Sequence, residues 1–208
     1  MVWIPLRNMK IRVVVMEGTE QPIVTAVAPA DIEQTVAVLV LAFIADPVTR
    51  WTYPDPAQYL THFPAFVRAF GGGAFARGTA HHVNGHAGAS LWLPPGIEPD
   101  HAAMEASLPA GRDAEFAAVF EAMAAYHPRD SHWYLALIGV DPAHQRKGFG
   151  AALLQETLRQ CDQDHVAAYL ESTNPANVAL YRRHGFDVLG TIQARSSPPL
   201  FPMLRAAR

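Results

Sequence analysis

Hydrophobic positions in the first third of the chain predict one strand followed by two helices. Residues 23–29, IVTAVAP, alternate apolar side chains with small or polar ones as a strand does, and Pro29 suits the first turn of a helix. Apolar residues then recur at intervals of three and four: Ile32, Val36, Leu39, Val40 and Phe43. The sequence ADP at 45–47 ends this helix. The same spacing predicts a second helix, with Pro64 inside it or bending it, at Leu60, Phe63, Val67 and Phe70.

The middle of the chain predicts a β-hairpin and two further helices. FARGTAHHV at 75–83 and HAGASLWL at 86–93 are typical of strands, and the Asn-Gly pair between them is a strong hairpin signal. Residues 99–126 are rich in alanine and predict two helices with a break near 108–111. One face of the second helix carries Phe116, Val119, Phe120 and Met123.

The last third alternates strands with helices. HWYLALIGV at 132–140 is an apolar run of strand length, and a loop and a helix follow it. HVAAYLES at 165–172 predicts the next strand, NPANVALYRRH a helix, and GFDVLG and PLFPML two short strands. This order predicts one α/β domain of the mixed α+β kind, with a mixed sheet covered by helices. We assign residues 22–208 to this domain and residues 1–21 to an N-terminal extension.

Composition and charge narrow the class of protein. The 208 residues are half apolar, which suits one domain with a full core. The 16 basic and 19 acidic side chains give no positive field of the kind that holds nucleic acid, so we expect no nucleic-acid partner. Cys161 is the single cysteine, which favours a reducing compartment, and we expect it to be a buried structural thiol. Without a long apolar span, we expect a cytoplasmic protein that does not enter a membrane.

A glycine-rich loop at 139–154, GVDPAHQRKGFGAALL, lies between a predicted strand and a predicted helix. Backbone N–H groups at such a helix start favour a phosphate ligand. The sequence lacks the Gly-Lys-Ser/Thr end of a Walker loop. A dinucleotide fingerprint would need Gly or Ala where Leu153 stands. What remains is Gln145-x-x-Gly148-x-Gly150, which a tight turn alone would also explain.

Residues 132–190 resemble the GCN5-related N-acetyltransferase (GNAT) family, whose pyrophosphate loop reads Arg or Gln, two residues, Gly, one residue, then Gly or Ala. A later family pattern, Asn-x-x-Ala-x-x-Leu-Tyr-x-x-x-Gly-Phe, resembles residues 169–186. We assign five residues to it: Asn177, Leu180, Tyr181, Gly185 and Phe186. Within the family, AFIADPVTRWTYPDP and the stretch from HWYLALIGV to YLES are similar to puromycin-type acetyltransferases. The resemblance implies a mostly antiparallel sheet of about six to seven strands that is splayed between strands 4 and 5.

The resemblance implies acetyl-CoA as the cofactor and assigns its contacts. Strand residues would pair with the pantetheine amides: Leu137, Ile138, Gly139 and Val140. The backbone N–H of Ile138 would polarise the thioester oxygen. The loop and helix start would hold the pyrophosphate: Gln145, Arg146, Lys147, Gly148, Phe149, Gly150 and Ala151. Asn177 and Tyr181 would complete the cofactor site.

Tyr181 and Glu171 are the catalytic candidates that the resemblance implies. Tyr181 would donate a proton to the leaving sulfur, although a core aromatic would also explain it. Several family members carry the base in the strand before the loop, but HWYLALIGV contains no acid, so that assignment does not carry over. Glu171 is the candidate base or a contact for the ammonium of the substrate, and a solvated carboxylate at a strand end is its plainer explanation.

An aromatic acceptor pocket is a further expectation. Trp51, Tyr53 and Trp92 lie beside proline-rich loops and are candidate substrate contacts, with core packing expected for at least one of them. We expect no metal site at His81, His82 and His86, because adjacent residues on a strand point to opposite faces and no acid joins them in the sequence.

The function that these expectations support is acetyl-CoA-dependent N-acetylation of a primary amine, which we expect to belong to a small molecule. Acetylation of a protein N-terminus or lysine is the alternative within the class. A non-catalytic acyl-CoA-binding sensor is the alternative from another class, and the pairing of Tyr181 with Glu171 counts against it. A nucleotide-binding protein would prefer ATP or NAD over CoA. The sequence leaves open whether the chain is a monomer or a homodimer.

Overall fold

The computed structural model describes residues 21–208, so the N-terminal extension lies almost wholly outside the described residues. The strands are β1 (Val24–Ala26), β2 (Ala80–Val83), β3 (Gly88–Leu93), β4 (His132–Val140), β5 (Ala167–Ser172), β6 (Asp187–Val188) and β7 (Phe201–Arg205). The helices are α1 (Ile32–Phe43), α2 (Pro47–Thr52), α3 (Pro56–Gly71), α4 (Gly73–Arg77), α5 (His101–Ala106), α6 (Asp113–Tyr126), α7 (Phe149–Asp164) and α8 (Val178–Arg183). The predicted order of elements is confirmed, with two short helices added.

The seven strands form one sheet in the order β1-β2-β3-β4-β5-β7-β6. Every neighbouring pair is antiparallel except β4 and β5, which are parallel. These two strands pair only from His132 to Tyr134 on β4, opposite Ala167 to Tyr169 on β5. Beyond Tyr134 they separate, so the predicted mixed sheet and its splay are confirmed.

Two segments differ from the predicted pattern. Residues 47–52, expected as loop, form α2 because the Asp46 side chain accepts hydrogen bonds from the N–H groups of Val48 and Thr49 and Pro47 occupies the first turn. Residues 75–77, expected in a strand, belong to α4, which ends at Gly78 in the left-handed conformation with φ of 69°. Strand β2 therefore begins only at Ala80.

Helices cover both faces of the sheet. On one face α1 and α3 bury an apolar cluster that includes Leu39, Val67 and Leu91. On the other face α7 and α8 pack over a cluster that includes Leu154 and Trp92. None of the helices in residues 21–208 is long and apolar enough to cross a bilayer. The separation of β4 and β5 therefore leaves a gap in the sheet, between the helices that pack on its two faces.

Candidate active site

A cavity of about 780 Å³ lies where β4 and β5 separate. Its walls come from the free part of β4, the following loop, the start of α7, the end of β5 and α8. The predicted site residues that line it are Leu137, Ile138, Gly139, Val140, Gln145, Arg146, Gly148, Phe149, Gly150, Ala151, Glu171, Asn177, Tyr181 and Tyr53. The fold therefore brings together residues that lie more than 120 positions apart in the chain.

Strand β4 offers one backbone edge to this cavity. Residues Leu135–Val140 pair with β3 on one side, and on the other side no strand among residues 21–208 pairs with them because β5 turns away after Tyr169. Alternate N–H and C=O groups of a strand point to its free edge, as they do for an added strand. Gly139 has a second role, because a Cβ there would lie 2.5 Å from the Ala42 Cβ of α1.

The loop after β4 is shaped by its own backbone and presents the start of α7. Gln145 Nε2 donates to the Val140 carbonyl at 3.3 Å, which ties the loop to the strand end. Arg146 and Gly148 have positive φ values of 65° and 84°, and Gly148 is the residue before the first turn of α7. The N–H groups of the first turn have no partner within their own helix and face a cavity that their residues line.

The positive charge of the loop is divided. Arg146 lines the cavity, whereas Lys147 is exposed and does not line it. Arg183 in the last turn of α8 also lines the cavity and was not among the predicted site residues. The Phe149 side chain is 1% exposed and packs with Val83 and Leu153, so its backbone is what it offers to a ligand.

Tyr181 lies on α8 with only 6% of its surface exposed. Burial, and more weakly the nearby Asp46 carboxylate, raise the pKa of Tyr181 well above its usual value. The hydroxyl therefore keeps its proton at every ordinary pH, as a proton donor must.

Two asparagines precede Tyr181 and line the same cavity. Asn177, the predicted contact, is exposed at the end of a short turn. Asn174, seven residues before Tyr181, occupies the first position of the family pattern and was missed, although the spacing identifies it. Its side chain accepts a hydrogen bond from the Ala176 N–H at 3.0 Å, which shapes the turn before α8.

Glu171 lies at the end of β5, and its side chain is 4% exposed. The Tyr134 hydroxyl donates a hydrogen bond to Glu171 Oε2, with 2.8 Å between the two oxygen atoms. The other oxygen, Oε1, has no hydrogen-bond partner in the described part of the chain, and His127 Nδ1 is 4.0 Å away. Burial and this carboxylate raise the pKa of Tyr134. The structure thus removes the plainer explanation of Glu171 as a solvated strand-end group.

Asp46 is a buried carboxylate of this cavity that the sequence analysis treated only as part of a helix stop. Its Oδ1 accepts from the Val48 and Thr49 N–H groups at 3.1 and 3.0 Å, and its Oδ2 accepts from the Thr173 hydroxyl at 2.6 Å. The bond to Thr173 joins α2 to the segment after β5. An Asp-Pro pair opening a helix was the available signal.

The three aromatic candidates have different positions. Tyr53 lines the cavity and donates to the Ser107 carbonyl at 3.2 Å, and burial raises its pKa to about 12. Trp92 is 0% exposed and belongs to the core beneath α7, so the structure does not bring it to the cavity. Trp51 also lies outside the cavity lining. Its ring packs edge-on against Phe116, with ring centroids 5.5 Å apart.

The histidines of the β2–β3 hairpin were expected to have no acidic residue beside them, and the structure places one there. Asp31, His82 and His86 each offer a ligand atom within 4.8 Å of the others, so an acid does join two of these histidines. The prediction was wrong here because Asp31 is distant in sequence and reaches the hairpin only through the pairing of β1 with β2. The rings of His82 and His86 are stacked, with their centroids 4.0 Å apart and an angle of 10° between the ring planes.

Comparisons with known sequences agree with this geometry. The sequence model of the acetyltransferase (GNAT) family matches residues 92–186. An uncharacterised N-acetyltransferase of Schizosaccharomyces pombe is 29% identical over 174 residues, which are 75% of this chain and 70% of that protein. A mycothiol acetyltransferase of Mycobacterium sp. strain JLS is 46% identical over 59 residues, which are 25% of this chain and 20% of that protein. The likeness to puromycin-type enzymes stays a prediction.

Solved structures share the whole fold. A Corynebacterium glutamicum protein described as histone acetyltransferase HPA2 and related acetyltransferase has a TM-score of 0.68 and 25% identity, covering 91% of this chain and 98% of its own. An agmatine N-acetyltransferase has a TM-score of 0.66, 18% identity and coverage of 90% and 100%. A polyamine N-acetyltransferase of Drosophila melanogaster has a TM-score of 0.64, 18% identity and coverage of 89% and 100%. By its matching family model over residues 92–186, its relatives and its splayed sheet, the chain is similar to the GNAT family of acetyltransferases and has the fold of their solved structures.

Proposed function

We propose that this chain is an acetyl-CoA-dependent N-acetyltransferase that acetylates a primary amine of a small molecule by direct attack of the amine on the thioester. The observation that supports this most is the composition of one cavity. A free strand edge and the start of a 16-residue helix line it together with Tyr181 and Glu171. The first two suit the binding of acetyl-CoA, and the last two suit the movement of protons.

The residues present fit acetyl-CoA. The free edge of β4 suits the amides of the pantetheine arm, with Asn174 and Asn177 at the opposite wall. The unpaired N–H groups at the start of α7, with Arg146 and Arg183, suit the pyrophosphate. When bound, acetyl-CoA supplies the activated acetyl group as a thioester.

Two protons move during amine acetylation, and the cavity offers a group for each. Glu171 Oε1, which has no hydrogen-bond partner in the described part of the chain, would accept a proton from the attacking amine, directly or through one water molecule. The raised pKa of Tyr181 keeps its hydroxyl protonated, so it can donate to the departing sulfur. The strand backbone near Ile138 stabilises the negative charge that develops on the thioester oxygen.

A small acceptor is favoured by the burial of the candidate base. The Glu171 side chain is 4% exposed, and residues of α5 and α6 line a cavity that it borders. The names of the agmatine and polyamine acetyltransferases of the same fold are those of enzymes for small amines. A protein tail would have to bring its amine to this buried carboxylate.

A thermal-shift and thiol-release assay tests this proposal. Acetyl-CoA, ATP and NAD are each added at about 100 times an expected dissociation constant, where specific binding stabilises the fold by about 2.7 kcal/mol. For a domain of this size, the melting temperature should rise by roughly 5–10 °C with acetyl-CoA alone. CoA release is then followed with a panel of small amines and with lysine and N-terminal peptides. Stabilisation by ATP or NAD in place of CoA species would sink the proposal.

A further inference from the structure

A second cavity, of about 620 Å³, adjoins the first. It lies under α5 and α6 and is lined by residues that the family pattern does not include, among them Glu98, Met104 and Asp113. The two cavities share six lining residues: Phe70, Leu108, Phe116, Phe120, Met123 and Glu171. Glu171 is therefore the polar group at the junction between the proposed cofactor cavity and a separate compartment.

Negative charge dominates the second cavity. Three carboxylates line it at exposed positions, from Glu98, Glu105 and Asp113, and Glu171 adds a fourth at the buried end. The lining within residues 21–208 includes no lysine or arginine, and its basic groups are His101 and His127. An anion would meet no fixed positive charge there, whereas a cation would meet carboxylates at both ends.

The buried end of this compartment lacks one hydrogen bond. Glu171 Oε2 accepts from Tyr134, but no donor within residues 21–208 is in hydrogen-bonding geometry with Oε1, although the side chain is 4% exposed. The neighbouring Tyr169 hydroxyl is likewise without a partner among these residues, and burial and the Glu171 carboxylate raise the pKa of Tyr169. A buried carboxylate oxygen without a donor is costly, so this position suits a ligand that brings an N–H group. A primary amine is such a ligand.

The walls between the two ends are apolar and aromatic. Met104, Leu108 and Phe116 line the compartment beside the aromatic rings of Phe70 and Phe120. Such walls favour a hydrocarbon spacer by burial and tolerate a cation near their rings. The volume is within the range of pockets for small molecules.

We propose that the second cavity is the acceptor compartment and selects a dicationic amine. The reacting amine lies at Glu171, an apolar spacer lies along the aromatic wall, and a second cationic group lies at Glu98, Glu105 and Asp113. This inference rests on the proposed function. In the reaction the new N–C bond forms and the C–S bond breaks, Glu171 takes the amine proton and Tyr181 gives a proton to sulfur, so the products are the acetamide and free CoA.

Three matched series of acceptors test this selection: α,ω-diaminoalkanes, n-alkylamines of the same length and ω-amino carboxylates of the same length. We expect kcat/KM to fall in that order, with about tenfold between diamine and monoamine because three exposed ion pairs contribute modestly. The triple variant Glu98→Gln, Glu105→Gln, Asp113→Asn should reduce this ratio to about one while leaving the melting-temperature shift by acetyl-CoA unchanged.

A second triple variant controls for net charge. Glu121→Gln, Asp130→Asn and Asp187→Asn remove the same three charges from exposed positions that line neither cavity, and the preference for diamines should persist. Equal kcat/KM for diamines and ω-amino carboxylates, or an unchanged ratio in the first triple variant, would overturn the inference while the proposed function stands. Absence of CoA release with every amine, from protein that acetyl-CoA still stabilises, would instead overturn the proposed transfer itself.

Discussion

The two cavities that meet at Glu171 differ in whether backbone or side-chain groups shape them. The part of the first that would hold acetyl-CoA is shaped by backbone: the edge of β4 that faces away from β3, the left-handed residues Arg146 and Gly148 and the first turn of α7. The second is shaped by side chains, with carboxylates at its exposed end and aromatic rings along its wall. Both are held by the same sheet and share one carboxylate.

This difference indicates how cofactor binding in the first cavity and acceptor choice in the second should respond to substitution. A backbone-built site depends on a few conformations, so changes there should affect the cofactor whatever the acceptor is. A side-chain-built site can change its charge and shape without altering the sheet, so changes there should affect the choice of acceptor. Variants of each half are therefore expected to separate cofactor binding from acceptor preference.

The largest effect is expected at Tyr181, on the cofactor side of the junction. Tyr181→Phe removes the proposed proton donor, so kcat should fall roughly ten- to thousandfold while the dissociation constant of acetyl-CoA stays nearly the same. Single-turnover kinetics and calorimetric titration measure the two quantities. Unchanged turnover would remove Tyr181 from the mechanism.

The pH dependence of the wild type sharpens that test. Burial and the Asp46 carboxylate both disfavour the phenolate of Tyr181, so its pKa lies above the ordinary 10.0 and its proton is retained as pH rises. We expect no loss of kcat assignable to Tyr181 as the pH approaches 10. An alkaline limb well below that value, which Tyr181→Phe abolishes, would contradict this assignment.

A smaller effect is expected at Gly148, where φ is 84° and a Cβ would meet no atom within 4 Å. Gly148→Val should strain the loop by about 1–3 kcal/mol and weaken acetyl-CoA binding by roughly tenfold or more with every acceptor. Gly78→Val is the matched control, because φ is 69° and its Cβ is equally free. The control should lose similar stability and keep its affinity for acetyl-CoA; equal loss of affinity in both would count against a role of the loop.

A smaller effect still is expected at Arg112, which supports the acceptor side. Its guanidinium lies 4.3 Å from the centre of the Trp51 ring and donates to the Trp51 carbonyl at 2.5 Å, so it joins α2 to α6. Arg112→Met should raise KM for the amine roughly three- to tenfold with the acetyl-CoA affinity unchanged. Arg68→Met removes an exposed ion pair with Glu33, and neither residue lines either of the two cavities, so this control should change neither quantity.

The smallest effect on activity is expected at Cys161. The thiol is 0% exposed, and burial raises its pKa to about 12, so it should not react with a thiol reagent in the folded protein at pH 8. Cys161→Ala should cost about 1 kcal/mol of stability and leave kcat unchanged. A thiol titration before and after denaturation tests this, and rapid labelling of the native protein would show that the thiol is not buried.

Local sequence patterns were sufficient to predict much of the fold and the loop proposed to bind the cofactor. Periodicity and glycine placement predicted the strand at His132–Val140, the hairpin turn and the helix after Gly148, because these features depend on residues that are adjacent in sequence. The two short helices α2 and α4 were not predicted. The signal for α2 is a single capping residue, Asp46, before a proline.

The second cavity is formed by residues that are distant in sequence, so fewer of its features could be predicted from the sequence. The aromatic face of α6 was predicted, but its meeting with Phe70 and Glu171 was not, since these residues come from three separate parts of the chain. Trp92 was a candidate contact that proved to be core, because strand alternation gives two faces without saying which one a cavity borders.

Neighbouring residues alone specify that a strand, a glycine-containing loop and a helix follow one another, with Tyr181 at a fixed spacing after an asparagine. Those relations are local, so chain stiffness and backbone geometry are enough to specify them. Three features depend on packing between distant elements: β4 and β5 part after Tyr134, one oxygen of Glu171 has no donor among residues 21–208, and three exposed carboxylates border the same compartment. Burial and charge at a point in space depend on every element that packs around it.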